Sequence, residues 1–293
     1  MSEQTAPRPL MEEPSAVSPV VTEALPAVPP TVTEVPARKD RRLLRTVLRW
    51  TAAVAVFAAV GSATAYGVTS VERTDLPGLA TESDGRWAFP EATAAPLPSG
   101  SPGPFADSNP AGAHYADLRA LLAPTPEGAT TDKALRGTQG WLATDVFLKE
   151  YRDEEEYDGL RRTLADEGLR HIAARGWTTP DGTHTRIYLL QFDTAAVVDG
   201  LHSLVFAPYD KPAYATRGTE EAVVPDKDFP ERALVDDILY SVYAEPEPYG
   251  AEQVRQAYLG AGDVLALVLQ SRKGGAPAVP FQQTVALQSR LLA

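Results

Sequence analysis

The chain has 293 residues and a net charge of −12, from 27 basic and 39 acidic side chains. This acidic balance makes nucleic acid a poor partner, because phosphate backbones are attracted to basic surfaces. The chain contains no cysteine, which excludes disulfides, thiolate metal sites, a cysteine nucleophile and lipid attachment to cysteine.

The first segment, residues 1–37, contains eight prolines and no aromatic residue. It buries too little apolar surface to offset its ordering entropy, which predicts a disordered Pro/Ala/Thr-rich tail. Residues 38–49 form a basic juxtamembrane segment, for which we expect contact with anionic lipid. Its cationic side chains are Arg38, Lys39, Arg41, Arg42, Arg45 and Arg49.

An uncharged run of 21 residues follows, from residue 51 to residue 71. As a helix it would be about 31 Å long, close to the ~30 Å hydrocarbon core of a bilayer. With Trp50 at its start, it predicts a single transmembrane helix over residues 50–71. The basic excess before this helix predicts a cytoplasmic N-terminus and an extracytoplasmic C-terminal domain at the plasma membrane. Cleavage near Ala65 is the alternative, because Ala63-Thr64-Ala65 fits a signal-peptidase site.

Residues 72–112 contain seven prolines and five glycines, which predicts a polar linker. Residues 113–293 predict the folded domain. Apolar residues at helical spacing predict helices over Ala113–Leu122, Asp153–Asp166 and Thr194–Phe206.

The turn signal Pro180-Asp181-Gly182 predicts a hairpin between the strands Leu169–Thr179 and Thr183–Phe192. The later elements are a short strand near Val223, a strand within Leu234–Ala244, a second hairpin of Val254–Leu259 with Val264–Leu269, and a last helix from Pro280 to Leu292. Together they predict an α+β fold, in which an antiparallel sheet is built from two hairpins plus added strands and the helices pack on one face.

The sequence lacks the motifs of familiar chemistry. No two of its four histidines are three or four residues apart, and there is no G-x-S-x-G, S-x-x-K or phosphate-binding G-x-x-x-x-G-K-[ST] pattern. We therefore expect no catalytic, cofactor-binding or metal-binding residues and no enzymatic activity. The acidic runs at 153–158 and 226–231 are typical of a solvated helix start and a turn.

Three residues are candidates for contact with a partner or ligand: Trp177, His171 and His184. Trp177 lies on a predicted strand, either as a core residue or as an exposed aromatic that stacks on a partner. The two histidines lie on opposite strands of the first hairpin. They are either solvent-facing residues or a pair brought close enough for a metal or a general base.

The segment Gly176-Trp177-Thr178-Thr179-Pro180-Asp181-Gly182-Thr183 and the following Ile187-Tyr188-Leu189-Leu190-Gln191-Phe192 resemble a W-T-x-x-D-G-T…I-Y-L-L-Q-F pattern. With the Arg-rich flank and the Ala/Val-rich run, this pattern is similar to single-pass membrane proteins of actinobacteria such as Streptomyces. The resemblance covers residues 38–293 and implies an extracytoplasmic α+β domain, but no activity. Membrane anti-sigma factors have a similar layout, but residues 1–49 lack the His and Cys of their cytoplasmic module.

These patterns predict a membrane-anchored, extracytoplasmic binding protein of the cell envelope, with an envelope protein or ligand as its partner. A signal relay that reports ligand binding through the cytoplasmic tail is an alternative prediction. A hydrolase of the cell envelope, using buried carboxylates or His171 and His184, is a third.

Overall fold

A computed structural model of the chain describes residues 41–70, 83–92, 96–208, 211–219 and 223–293, with the backbone alone at 41–46 and 63–70. The predicted disordered tail over residues 1–37 lies outside the described residues, as do Arg38, Lys39 and positions 72–82 of the predicted linker. The chain divides into two units, Met1–Pro77 and Gly78–Ala293.

The first unit contains helix α1 (Arg41–Ser70), which begins well before Trp50 because Arg and Leu are strong helix formers. Every described side chain of α1, from residue 47 to residue 62, is exposed. In the described part of the chain, no helix is both long enough and apolar enough to cross a membrane. The described residues therefore show a helix at this position and do not support the prediction that it spans a bilayer.

The second unit is built on a seven-stranded sheet in which every neighbouring pair is antiparallel, in the order β1-β2-β3-β7-β6-β5-β4. The strands are β1 (Thr130–Thr131), β2 (His171–Thr178), β3 (His184–Gln191), β4 (Val224–Pro225), β5 (Leu239–Ala244), β6 (Glu252–Ala261) and β7 (Val264–Lys273). Both predicted hairpins are present, as β2–β3 and β6–β7, and they pair side by side through β3 and β7. The prediction of an α+β fold with an antiparallel sheet is confirmed.

Helices cover the sheet on both faces. The α-helices of the domain are α2 (Thr144–Leu148), α3 (Tyr157–Asp166), α4 (Ala195–Gly200), which continues as a π-helical turn over Leu201–Phe206, and α5 (Ala278–Leu292). Short 3₁₀ turns lie at Leu118–Leu121, Lys133–Arg136, Glu154–Glu156 and Glu231–Ala233. Residues of α5 pack in one core cluster, whereas α2, α3 and α4 contribute to the other.

The prediction that the helices pack on one face is therefore wrong. On β3, Leu189 points into the core cluster of α5, and its neighbour Tyr188 points into the opposite cluster. Residues 264–269 of β7 are likewise buried on both faces. Successive side chains of a strand point to opposite sides, so a continuously apolar strand needs a helical layer on each face.

The predicted helix over Ala113–Leu122 is reduced to the 3₁₀ turn at its end, and residue 113 and its neighbours are held extended by side chains. His114 explains this difference, because its Nδ1 lies 2.7 Å from Asp263 Oδ1 and its Nε2 lies 2.9 Å from the carbonyl of Leu292. The backbone amide of His114 also donates to Asp263 Oδ1. These buried contacts tie the segment to the β6–β7 turn and to the C-terminus.

Part of the predicted linker belongs to the folded domain. Trp87 and Phe89 lie edge-on to Trp177, with ring centroids 6.5 and 6.2 Å away. The backbone amide of Trp87 donates to Gln283 of α5, and the Gln283 amide donates back to the Trp87 carbonyl. Phe105 packs against the same core cluster. Within the segment predicted as a linker, the aromatics Trp87, Phe89 and Phe105 are thus partly buried against the domain, whereas residues 83–86 and 96–100 are exposed.

Candidate functional site

Trp177 lies in the hydrophobic core and is 0% exposed. The prediction that it contacts a partner is wrong, because the aromatic side chains of the 83–89 segment cover it. Trp177 is instead a core residue of strand β2, which was the alternative prediction.

His171 and His184 do not approach each other. In the hairpin His171 pairs with Gln191, whereas His184 pairs with Thr178. The two imidazoles are thus separated by the length of the strand, roughly 23 Å at about 3.3 Å per residue. His171 is exposed and stacks on Trp141 at 4.4 Å. His184 lies 3.5 Å from Asp132, and the prediction of a shared metal or base is wrong.

The basic flank is described only in part. Arg49 is exposed on α1. The side chains of Arg41, Arg42 and Arg45 lie outside the described residues, like Arg38 and Lys39, so their contact with lipid stays a prediction.

A cleft of about 350 Å³ opens on the face of the sheet that α2, α3 and α4 cover, where two irregular segments cross strand β6. We call it the polar cleft. Its lining residues are Arg152, Asp153, Glu156, Lys211, Pro212, Ala213, Ala215, Thr216, Thr219, Val223 and Gln256. The volume falls at the lower end of the range for small-molecule sites, about 300 to 1,000 Å³.

Backbone pairing fixes the two walls of the polar cleft. The amide of Arg152 donates to the carbonyl of Ala215 at 2.8 Å, and the amide of Arg217 donates to the carbonyl of Glu150 at 2.7 Å. Tyr151 and Thr216 form a β-bridge between these bonds. The two segments therefore behave as a short antiparallel ladder, which holds the cleft open as a preformed site.

The floor of the polar cleft is a buried row of polar side chains. Thr216 donates from Oγ1 to Gln256 Oε1 at 2.8 Å, and the hydroxyl of Thr219 lies 2.9 Å from the same Thr216 oxygen. Gln256 is 0% exposed, and its Nε2 has no hydrogen-bond partner among the described residues. Either orientation of the amide leaves one of its polar atoms unsatisfied, since Thr216 contacts only one of them.

Glu156 provides a second unsatisfied atom on the wall. Its Oε2 is buried and has no hydrogen-bond partner in the described part of the chain. Burial raises the pKa of Glu156, and the negative charges of Asp153 and Glu155 raise it further, against the opposing effect of Arg152. Glu156 Oε2 therefore presents an unpaired hydrogen-bond acceptor at the wall of the cleft.

A buried ion cluster joins the two paired segments of the cleft to strand β3 of the sheet. Glu150 contacts Arg186 of β3 through one carboxylate oxygen at 2.7 Å and Arg217 through the other at 2.9 Å. Tyr151 and Tyr258 pack beside it with their hydroxyls 3.4 Å apart. Burial raises the pKa of both phenols, so they stay neutral and serve as rigid support.

Sequence reasoning did not identify the residues of the polar cleft. Gln256 and Thr216 are 40 positions apart in the sequence, and neither belongs to a motif. The position of Gln256 within the largely buried strand β6 offered one weak signal, because a buried glutamine requires partners. Within the described ranges, no group of three or more His, Asp or Glu side chains is placed to hold a metal ion.

Comparison with protein families gives no match to this chain. Comparison with curated proteins gives no match either. The geometry of the polar cleft is therefore the basis for a functional assignment.

Proposed function

We propose that the chain is a membrane-anchored, extracytoplasmic binding protein of the cell envelope, and that its domain binds a small polar molecule in the polar cleft. The observation that carries this proposal is the unsatisfied amide of Gln256. An unpaired buried polar group costs about 1–3 kcal/mol, so a site that retains one within a preformed cleft has a use for it. A ligand oxygen that accepts a hydrogen bond from Gln256 Nε2 offsets this unfavourable free energy.

The chemistry of the lining indicates an uncharged ligand with hydroxyl and amide groups. The Gln256 amide can donate to a carbonyl or hydroxyl oxygen. Glu156 Oε2, which has no hydrogen-bond partner among the described residues, can accept from a ligand hydroxyl or amide group. The lining holds two cations, Arg152 and Lys211, and two anions, Asp153 and Glu156, so its formal charges offset each other. Neutral hydroxyl and acetamide groups match this arrangement, as in the amino sugars of a cell wall.

Membrane anchoring by the first unit is supported by the sequence of residues 51–71, which carries no charge. It is also supported by the exposed apolar side chains of α1, among them Phe57, which is 81% exposed. Apolar side chains that are exposed on a helix are more stable in an apolar environment than in water. Because the described side chains of α1 are those of residues 47–62, the membrane span over residues 50–71 is tested by experiment.

The binding proposal is tested on the full chain in detergent, with N,N′-diacetylchitobiose and N-acetylalanine amide as probes in isothermal titration calorimetry. We expect saturable binding of at least one probe and its loss in Gln256→Met, which retains the side-chain volume but removes the amide. The control Gln282→Met lies on α5, across the sheet, and should bind as the parent does. Absence of binding for both probes at 10 mM (about 2.7 kcal/mol in affinity) would overturn the assigned ligand class.

The topology is tested separately by fractionating cells that produce the tagged chain. We expect the protein in the membrane fraction after a carbonate wash, with the C-terminal tag accessible to protease on intact spheroplasts and an N-terminal tag protected. Recovery of the chain in the soluble fraction would contradict the anchor. A shortened product beginning after residue 65 would show cleavage instead.

A further inference from the structure

A second cavity lies at the β1 edge of the sheet, away from the polar cleft. It has a volume of about 160 Å³, and we call it the edge notch. Its lining residues are Arg119, Leu122, Thr131, Asp132, Arg136, Gly140, Ala174 and Arg175. Three of these eight residues are arginines, in a chain whose net charge is −12.

Arg175 is the central cation of the edge notch. It is half-buried on strand β2, and its Nη1 donates to the carbonyls of Leu122 and Ala123 at 2.8 and 2.9 Å. Burial lowers the pKa of Arg175, and the positive charge of Arg136 lowers it further. Among the described residues no carboxylate forms an ion pair with Arg175, although buried cations are normally paired.

Strand β2 adds a backbone donor to the edge notch. Asp132 donates its amide to the carbonyl of Gly176 at 2.7 Å, and Leu142 donates to the carbonyl of Ile172 at 2.8 Å. Backbone groups of an antiparallel strand alternate between its two sides. Ala174, midway between these two residues, therefore directs its amide and carbonyl to the same edge. Strand β1 pairs only with residues 177 and 178, so the edge at Ala174 is left open to the notch.

The other charged groups at the edge notch already have partners. Arg119 forms a bidentate pair with Asp117, with its closest contact at 2.5 Å, and lies 4.7 Å from the ring centre of Trp141. Asp132 accepts from the amide of Ala134 at 2.9 Å and faces His184 at 3.5 Å. Among the described lining residues, Arg119 is matched by Asp117 and the Asp132 carboxylate offsets one further cation, so Arg175 and Arg136 together leave a net charge of about +1 at the notch.

We infer that the edge notch binds one anionic group, a carboxylate or a phosphate, which is held by Arg175 and Arg136 and by the amide of Ala174. Its volume suits a single such group at the end of a chain or polymer, and a guanidinium presents paired donors that match either anion. This inference does not depend on the polar cleft, and the two sites can be tested independently.

The test uses the full chain with inorganic phosphate and acetate as separate probes, and isothermal titration calorimetry in low-chloride buffer as the measurement. We expect saturable binding of at least one anion. Arg136→Met, at an exposed position that leaves the core intact, should weaken it at least tenfold, and Arg175→Met should abolish it. Arg175→Lys retains the charge without the planar fork and should show an intermediate loss.

Arg161→Met is the matched control, because Arg161 is a half-buried arginine on α3 whose partners are Asp145 and Asp158. It should leave anion affinity unchanged. Binding of phosphate alone would identify a phosphate-bearing ligand, and binding of acetate alone would identify a carboxylate such as a peptide terminus. Absence of binding for both anions at 50 mM (about 1.8 kcal/mol in affinity), or equal affinity in the parent and Arg136→Met, would overturn the inference.

Discussion

Arg186 Nε lies 2.7 Å from Glu150 Oε2, and neither side chain is more than 5% exposed. This ion pair joins the central strand β3 to the segment that forms one wall of the polar cleft. The opposite wall is attached to the same carboxylate through Arg217. A single buried glutamate thus links the sheet to both sides of the cleft.

Removing the carboxylate of this pair should destabilise the fold strongly. In Glu150→Met the Arg186 cation stays buried without its counter-charge, and breaking such a pair costs about 3–5 kcal/mol. Urea unfolding monitored by circular dichroism measures the loss. The double variant Glu150→Met/Arg186→Met should recover part of it, because no unpaired charge remains. A loss below about 1 kcal/mol in Glu150→Met would show that the pair carries little stability.

Two glutamines of β6 should respond differently to the same substitution. Gln256→Met removes the bond that Gln256 Oε1 accepts from Thr216, but it also removes the buried unpaired Nε2. These effects offset each other, so the free energy of unfolding should change by less than about 1 kcal/mol. Gln253 donates to the carbonyl of Glu245 at 2.7 Å and accepts from the amide of Ala276 at 2.8 Å. Gln253→Met should therefore cost about 1–3 kcal/mol. Urea unfolding measures both changes. Equal losses of unfolding free energy in Gln256→Met and Gln253→Met would contradict the claim that Gln256 Nε2 has no hydrogen-bond partner.

Substitution of Trp177 should lower the free energy of unfolding, because the whole indole is buried. Trp177→Ala should cost about 3–5 kcal/mol through the cavity that it creates. Trp177→Phe should cost much less, because the indole Nε1 has no hydrogen-bond partner among the described residues. Thermal unfolding of the two variants checks this order, and Tyr115→Ala, at a residue that is 47% exposed, is the control for a surface aromatic. Equal unfolding temperatures for the parent and Trp177→Ala would place the indole outside the core.

Mild acid should destabilise the domain through His202. Burial lowers the pKa of this imidazole below its usual 6.5, with smaller opposing effects from the backbone of Tyr258 and the charge of Asp199. The unfolded chain therefore binds the proton more readily than the folded one, and stability falls as the pH decreases below about 6.5. His202→Phe should reduce this slope in urea unfolding between pH 5 and pH 7.5 (about 1.4 kcal/mol per pH unit at most for one group). An unchanged slope would assign the acid sensitivity to other groups.

The sequence predicts the strands better than the helices. The turn at Asp181 was identifiable because local chemistry forms it: Thr183 donates its amide to the Asp181 carboxylate at 3.1 Å, and Gly182 adopts a φ of 82°. Both hairpins follow from such local signals, although β6 and β7 extend beyond the predicted strands Val254–Leu259 and Val264–Leu269. The helix predicted over Ala113–Leu122 failed because distant partners, Asp263 and the carbonyl of Leu292, hold His114 in an extended segment.

The candidate sites were less accessible to sequence reasoning. Trp177 stood out as a residue type, but its exposure depends on Trp87 and Phe89, which reach it from the segment predicted as a linker. Gln256 and Arg175 carried no motif. The unpaired Nε2 of Gln256 and the absence of a carboxylate beside Arg175 in the described part of the chain depend on residues far away in the sequence, which no local pattern encodes.

By itself, the sequence determined the class of this protein: an acidic, cysteine-free α+β domain with an antiparallel sheet, preceded by an uncharged apolar run. These properties depend on composition, periodicity and turn chemistry, which act over a few neighbouring residues. Only the tertiary structure decided which faces of the sheet are covered, and that Trp87 and Phe89 pack against Trp177. It also decided that Gln256 Nε2 has no hydrogen-bond partner, and that no carboxylate pairs with Arg175, among the described residues. Each of these depends on contacts between residues far apart in the chain, where the free energy of burial outweighs local preference.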